Sequence, residues 1–147
     1  EEFPPNTMVV GRNGLMLRLA AIYGYDRGVI DIFTGVMELE EANSGYRDCS
    51  RKYIDLMQEI LRLDLGTQDF FIQTPLVKNT KKENMYLAYE LGVLNYLLEE
   101  TVTCYEGLKY QGCGVCPACV LRNPAIVDFQ KENPNISLPY AFSKSSL

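Results

Sequence analysis

Val29-Ile30-Asp31-Ile32-Phe33-Thr34-Gly35-Val36 is short, rich in β-branched residues and bounded by Gly28 and Gly35, the pattern of a buried strand whose tip is a glycine turn. A second apolar stretch, Phe70 to Thr74, is closed by Pro75. Between them a helix is predicted from about Ser50 to Leu63, with Ile54, Met57 and Leu61 on one face and Gly66 after it. Beyond the second strand, Thr80-Lys81-Lys82-Glu83 fits the capping box that opens a helix, and the helical run extends to about Glu99-Glu100. Upstream, Leu15, Leu19 and Ile22 recur at helical spacing before Gly24. This alternation predicts a parallel sheet with helical crossovers, hence an α/β domain. In such sheets ligands gather beyond the carboxyl ends of the strands, here Gly35 to Asp48 and Pro75 to Lys82. Asn123-Pro124 reads as an N-cap with proline at the first helical position, opening a short last helix to about Lys131. The expected organisation is an α/β portion over 1–100, a cysteine-rich region over 101–132 and a tail over 133–147 with no assigned role.

The 147 residues, 47% hydrophobic and 22% charged, are enough for one domain that buries roughly two-thirds of its unfolded surface. The net charge of -5 opposes binding to nucleic acid, and Lys81-Lys82 is too small a basic patch to reverse that. No apolar run approaches the roughly 18 residues of a membrane span, and no secretory signal opens the sequence, so the default expectation is a cytoplasmic protein. Glu1, in place of Met, reads as a processed chain or part of something longer. There is no histidine, which excludes Ser-His and Cys-His catalysis and any His-ligated metal.

Four of the five cysteines lie between Cys104 and Cys119, three of them in Cys113-Gly-Val-Cys116-Pro-Ala-Cys119. Two-residue gaps let neighbouring thiolates converge on one cation, and Gly112 and Gly114 permit the tight turns this needs. Cys104, Cys113, Cys116 and Cys119 are therefore the candidate ligands of a closed, structural zinc site. Disulfides are disfavoured without a secretory signal. An iron-sulfur cluster is the stronger rival, since the ferredoxin run C-x₂-C-x₂-C-x₃-C-P is matched except that Asn123 stands where its last cysteine would be. Cys49 lies apart, and a lone cysteine is more often a small buried hydrophobe than a reactive thiol.

Six motifs occur in order: Gly11-Arg12-Asn13, Phe33-Thr34-Gly35-Val36, Ser44-Gly45-Tyr46-Arg47-Asp48-Cys49, Thr74-Pro75-Leu76, Thr80-Lys81-Lys82-Glu83, and Thr103-Cys104-Tyr105-Glu106-Gly107 with the cysteine run through Arg122. Together they resemble the 7-cyano-7-deazaguanine synthases of the queuosine pathway, over Thr7 to about Arg122. The resemblance implies a Rossmann-like fold of the adenine nucleotide hydrolase type, a Cys₄ zinc site and a homodimer. It implies an ATP-dependent ligase, with magnesium accompanying the ATP, that converts 7-carboxy-7-deazaguanine to the nitrile. Arg12 and Lys81 would face the ATP phosphates, Ser44, Tyr46, Asp48 and Cys49 would line the base pocket, and Asn13 would be among the residues that bind substrate or nucleotide. The family's Ser-Gly-Gly-x-Asp-Ser phosphate loop has no counterpart in these residues, and Gly11-Arg12-Asn13-Gly14 is not that loop. Ala42 and Asn43 also replace the family's aspartate and tyrosine before Ser44. The expectation is thus a synthase whose phosphate loop lies upstream or in a partner chain. The alternative is a non-catalytic, zinc-stabilised deazapurine-binding or assembly module derived from the same family.

Overall fold

The two apolar stretches pair as parallel strands, β1 (Asp31–Phe33) and β2 (Phe71–Gln73), with Ile32 opposite Ile72. Each strand is shorter than its apolar run. Backbone pairing nevertheless continues past both ends, from the Phe71 amide to the Ile30 carbonyl (2.8 Å) and from the Thr34 amide to the Gln73 carbonyl (3.0 Å). The computed structural model describes residues 9–39 and 45–140. It divides into two compact units, Glu1–Lys78 and Asn79–Leu147, each with its own apolar core.

In the first unit the crossover between the strands is α2 (Arg51–Leu65). Ser50 caps it by accepting a hydrogen bond from the Tyr53 amide (3.2 Å), and Gly66 closes it in the left-handed region, φ 67°, where a residue without a Cβ carries no strain. Its predicted stripe, Ile54, Met57 and Leu61, is buried with Phe70, Ile72, Val36 and Val77. The polar side of α2 closes the outer edge of β2. Gln58 accepts from the Ile72 amide (2.8 Å), Arg51 donates to the Ile72 carbonyl (3.2 Å), and Arg62 donates to the Phe70 carbonyl (2.9 Å). Backbone groups that would otherwise template further pairing are thereby satisfied. Nothing comparable closes β1 among the described residues, and Phe33 is 72% exposed.

The first helix, α1 (Arg12–Tyr25), corrects the predicted face. Leu15, Leu19 and Ile22 are exposed, and the buried residues are Gly14, Leu17, Ala21 and Gly24. Small residues win because this helix approaches its neighbours closely. A Cβ on Gly14 would lie 2.3 Å from the Tyr53 hydroxyl, and one on Gly24 would lie 3.0 Å from Val29.

The second unit opens with α3 (Lys81–Glu90), and the predicted capping box is present. The Glu83 amide donates to the Thr80 hydroxyl (3.2 Å), and the Thr80 amide donates to the Glu83 carboxylate (2.6 Å). The expected single run to Glu100 is two helices, because Gly92 turns the chain at φ 71° before α4 (Leu94–Glu100). The last helix, α5 (Pro117–Glu132), begins earlier than predicted. Pro117 occupies the first helical position and Cys116 the cap, Pro124 lies inside the helix, and Asn123 is not a cap. Ala88, Leu94, Leu98, Ile126 and Phe129 form the core, with Tyr86 edge-on to Phe129 at 4.9 Å. Among the described residues no helix is long and apolar enough to cross a membrane.

Candidate functional site

The loop between α4 and α5 brings four sulfurs together. The Sγ atoms of Cys104, Cys113, Cys116 and Cys119 all lie within 4.8 Å of one another. A tetrahedron of metal–thiolate bonds of about 2.3 Å has edges of roughly 3.8 Å, so a small contraction of these side chains closes the shell on one ion. Cys104 and Cys119 are buried and the other two are half-buried. None of the five cysteines is in a disulfide.

Local geometry explains how a short loop achieves this. Cys116 caps α5, and Cys119 lies in its first turn, so a single helix start fixes two ligands. The Cys113 amide donates to the Cys104 sulfur (3.3 Å), and the Cys116 amide donates to the Cys113 sulfur (3.3 Å). Gly112, at φ 67°, passes so close to the sulfurs that a Cβ there would lie 2.5 Å from the Cys119 Sγ and 2.9 Å from the Cys104 Cβ. The cradle therefore has room for an ion and thiolates but not for a side chain at 112.

The thiols differ in acidity. Burial alone would raise the Cys104 thiol, but backbone amides of Cys113, Leu108 and Glu106 donate to its sulfur and bring it down to about 6. Cys116 is lowered too: burial opposes ionisation, and the amides of Tyr105 and Cys119 outweigh it. Burial, together with the neighbouring sulfurs, pushes Cys119 up to about 12. The amides thus favour the thiolate form that a metal needs at two positions, and a cation would have to displace the proton at Cys119.

Of the residues expected to meet a nucleotide or base, three converge in the first unit. The Asn13 amide donates to Asp48 Oδ2 (3.2 Å), and the Asn13 side chain donates to the Asp48 carbonyl (3.5 Å) and the Cys49 sulfur (3.4 Å). Gly11, at the start of α1, offers no side-chain cap, so the Asp48 carboxylate satisfies an orphaned amide of the first turn from 35 residues away. Asp48 is only 9% exposed, and its second carboxylate oxygen, Oδ1, is buried with no hydrogen-bond donor among the described residues. Arg12 opens α1 next to this cluster in sequence, and Tyr46 precedes the single 3₁₀ turn (Arg47–Cys49) that carries Asp48. Cys49 is half-buried and packs against the first core. Ser44 lies outside the described residues. Lys81 belongs to the second unit, at the first position of α3.

Two residues that bond to the cysteine loop carry geometry that the motifs did not announce. Arg122 and Asn123 are buried, 6% and 2% exposed, and both donate to backbone carbonyls of the cysteine loop. Their spacing, three and four residues after Cys119 on one helix, was the available signal.

The family model described as queuosine biosynthesis protein QueC matches residues 1–130. A 7-cyano-7-deazaguanine synthase of Clostridium botulinum (strain 657 / Type Ba4) is 43% identical over 132 residues, covering 90% of this chain and 59% of the relative. One from Clostridium acetobutylicum is 44% identical over 128 residues, covering 87% of this chain and 56% of the relative. The chain therefore spans a little over half the length of these curated relatives.

Proposed function

Because this chain belongs to the family of the queuosine biosynthesis protein QueC, we propose that it supplies the base-recognising and metal-bearing parts of a 7-cyano-7-deazaguanine synthase. The observation that carries this reading is the buried Oδ1 of Asp48, which has no donor among the described residues. An unpaired carboxylate oxygen removed from water is costly, and a guanine-like ring offers the N–H donors that would satisfy it. Asn13, Ser44, Tyr46, Asp48 and Cys49 line the base site in this proposal, Arg12 and Lys81 are the cations for the phosphates of ATP, and magnesium accompanies the ATP. The sheet belongs to a Rossmann-like domain of the adenine nucleotide hydrolase type, and the protein works as a cytoplasmic homodimer or with a partner that supplies the phosphate loop.

The chemistry sets what such residues must do. The carboxylate of 7-carboxy-7-deazaguanine is a poor electrophile. Adenylation by ATP replaces an oxide leaving group with AMP and releases pyrophosphate, ammonia then displaces AMP to give the amide, and dehydration yields the nitrile. The base site holds the ring so that its carboxylate meets the α-phosphate, while the cations stabilise charge on the transferred group. Cys104, Cys113, Cys116 and Cys119 hold zinc. Four thiolates leave a tetrahedral ion no open position, so its contribution is to tie the loop to α5.

Calorimetric titration of the zinc-loaded protein with 7-carboxy-7-deazaguanine tests the reading. Wild type binds, and Asp48→Asn, which removes a charged acceptor, weakens binding by about 10- to 100-fold. Absence of binding by wild type, or equal binding by the variant, would overturn it. Nitrile formation on adding ATP and ammonium separates an enzyme from the binding-module alternative, for which binding would persist without turnover. A colourless preparation with zinc rules out the iron-sulfur assignment.

A further inference from the structure

We propose that Arg122 and Asn123 form a clamp that pre-positions the cysteine loop for its metal, which makes them positioning residues of the centre although neither offers a metal ligand; the proposal rests on the metal-site reading given above. Arg122 Nη2 donates to the Tyr110 carbonyl (2.5 Å), and Asn123 Nδ2 donates to the next carbonyl, Gln111 (3.0 Å). The two side chains are locked to each other, because Arg122 Nε and Nη2 both donate to Asn123 Oδ1 (3.1 and 3.0 Å). One rigid unit thus grips two consecutive carbonyls immediately before Gly112 and Cys113.

Three features show that the grip constrains the loop. Tyr110 has φ 56°, and it is the one described non-glycine residue with a positive φ. That conformation is disfavoured for a residue with a Cβ and persists only where surroundings impose it. Arg122 is buried and has no carboxylate partner among the described residues. A buried guanidinium needs compensation, and among the described residues it donates to the Tyr110 carbonyl and Asn123 Oδ1, which fixes its place against the loop. Finally, Cys119, Arg122 and Asn123 share one face of α5. The helix that presents a ligand therefore also fixes the backbone that presents Cys113, whose amide reaches the Cys104 sulfur. Outer contacts of this kind are worth about 10- to 100-fold in metal affinity where they have been removed in other sites.

Chelator competition for zinc, and the ligand-field spectrum of the cobalt(II)-loaded protein, test the clamp in the purified chain. Arg122→Lys keeps the charge but loses the planar fork, and Asn123→Asp keeps the acceptor for Arg122 but loses the donor to Gln111. Each is expected to weaken zinc by about 10- to 100-fold and to alter the cobalt spectrum. Phe129→Leu, in the core of the same helix, is the control: it lowers the melting temperature and leaves zinc competition and spectrum as in wild type. If Arg122→Lys and Asn123→Asp hold zinc like wild type, or lose no more than Phe129→Leu, the clamp is wrong while the metal site stands. A wild-type chain that binds neither ion overturns the metal reading itself.

Discussion

At the scale of single residues, the second unit is tied by a carboxylate that serves two partners. Glu132 accepts from the Lys82 ammonium (2.5 Å) and from the Tyr86 hydroxyl (2.6 Å), and these bonds, the lysine's first, hold its carboxyl below the usual range. A depressed folded value means that the ionised form is favoured by folding. The stabilisation is therefore present above the unfolded carboxylate value of about 4.3 and is lost as pH falls through the lowered folded value. Urea unfolding across pH should accordingly find Glu132→Gln less stable than wild type at neutral pH, with the two converging in acid. A gap that stayed constant down to the lowest pH would assign Glu132 a packing role instead. Residue chemistry was also where the sequence was most legible for the metal centre, because two-residue gaps constrain thiols directly. It was least legible at Asn123, whose proline neighbour suggested a cap while its amide holds a carbonyl 12 residues back.

At the scale of elements, α2 and α1 make an instructive pair. On α2 charged residues at Arg51, Lys52, Asp55, Glu59, Arg62 and Asp64 narrowed the choice, and of the two apolar rows that remained, Ile54, Met57 and Leu61 are buried while Leu56, Ile60 and Leu63 are exposed. On α1 the run Leu15, Met16, Leu17, Leu19, Ala20, Ala21, Ile22 and Tyr23 is apolar on nearly every side, and close approach at Gly14, Ala21 and Gly24 selected the buried face. Size and shape, which periodicity ignores, made that choice. Leu17 (6% exposed) and Leu19 (54%) should thus respond oppositely. Leu17→Ala should cost about 2–5 kcal/mol by the usual transfer and cavity terms, whereas Leu19→Gln should stay within about 0.5 kcal/mol. Urea midpoints measure both, and a large loss at Leu19 would restore the face that the sequence suggested. The α5 start was missed for a related reason: Cys116 is both cap and candidate ligand, and the second role concealed the first.

At the scale of the whole molecule, the cysteine cluster and the second core share α5. Cys119 stands in its first turn, and Ile126 and Phe129 stand further along in the core. Removing the metal with a chelator should therefore lower amide exchange protection through 104–132. Amides of Ile54, Leu61 and Ile72, which belong to the other core, should keep theirs, as expected when cooperative units open separately. Uniform loss of protection would show one cooperative unit instead. The strand pairing, α2 and the cysteine cluster could all be anticipated from local pattern. The Asp48 cap on α1 could not, because contacts between residues 35 apart leave no local periodicity to read.

The small sheet has a direction of growth. On β2 the outward-facing groups of Ile72 and Phe70 are occupied by Gln58, Arg51 and Arg62, whereas Asp31 and Phe33 alternate with the residues that pair to β2 and so turn their backbone away from it. Among the described residues none hydrogen-bonds to the free edge of β1, so a strand added there displaces none of them, whereas beside β2 it must first break three hydrogen bonds. The sheet is in this sense, among the described residues, a one-ended template: the edge of β2 is occupied and growth is favoured beside β1.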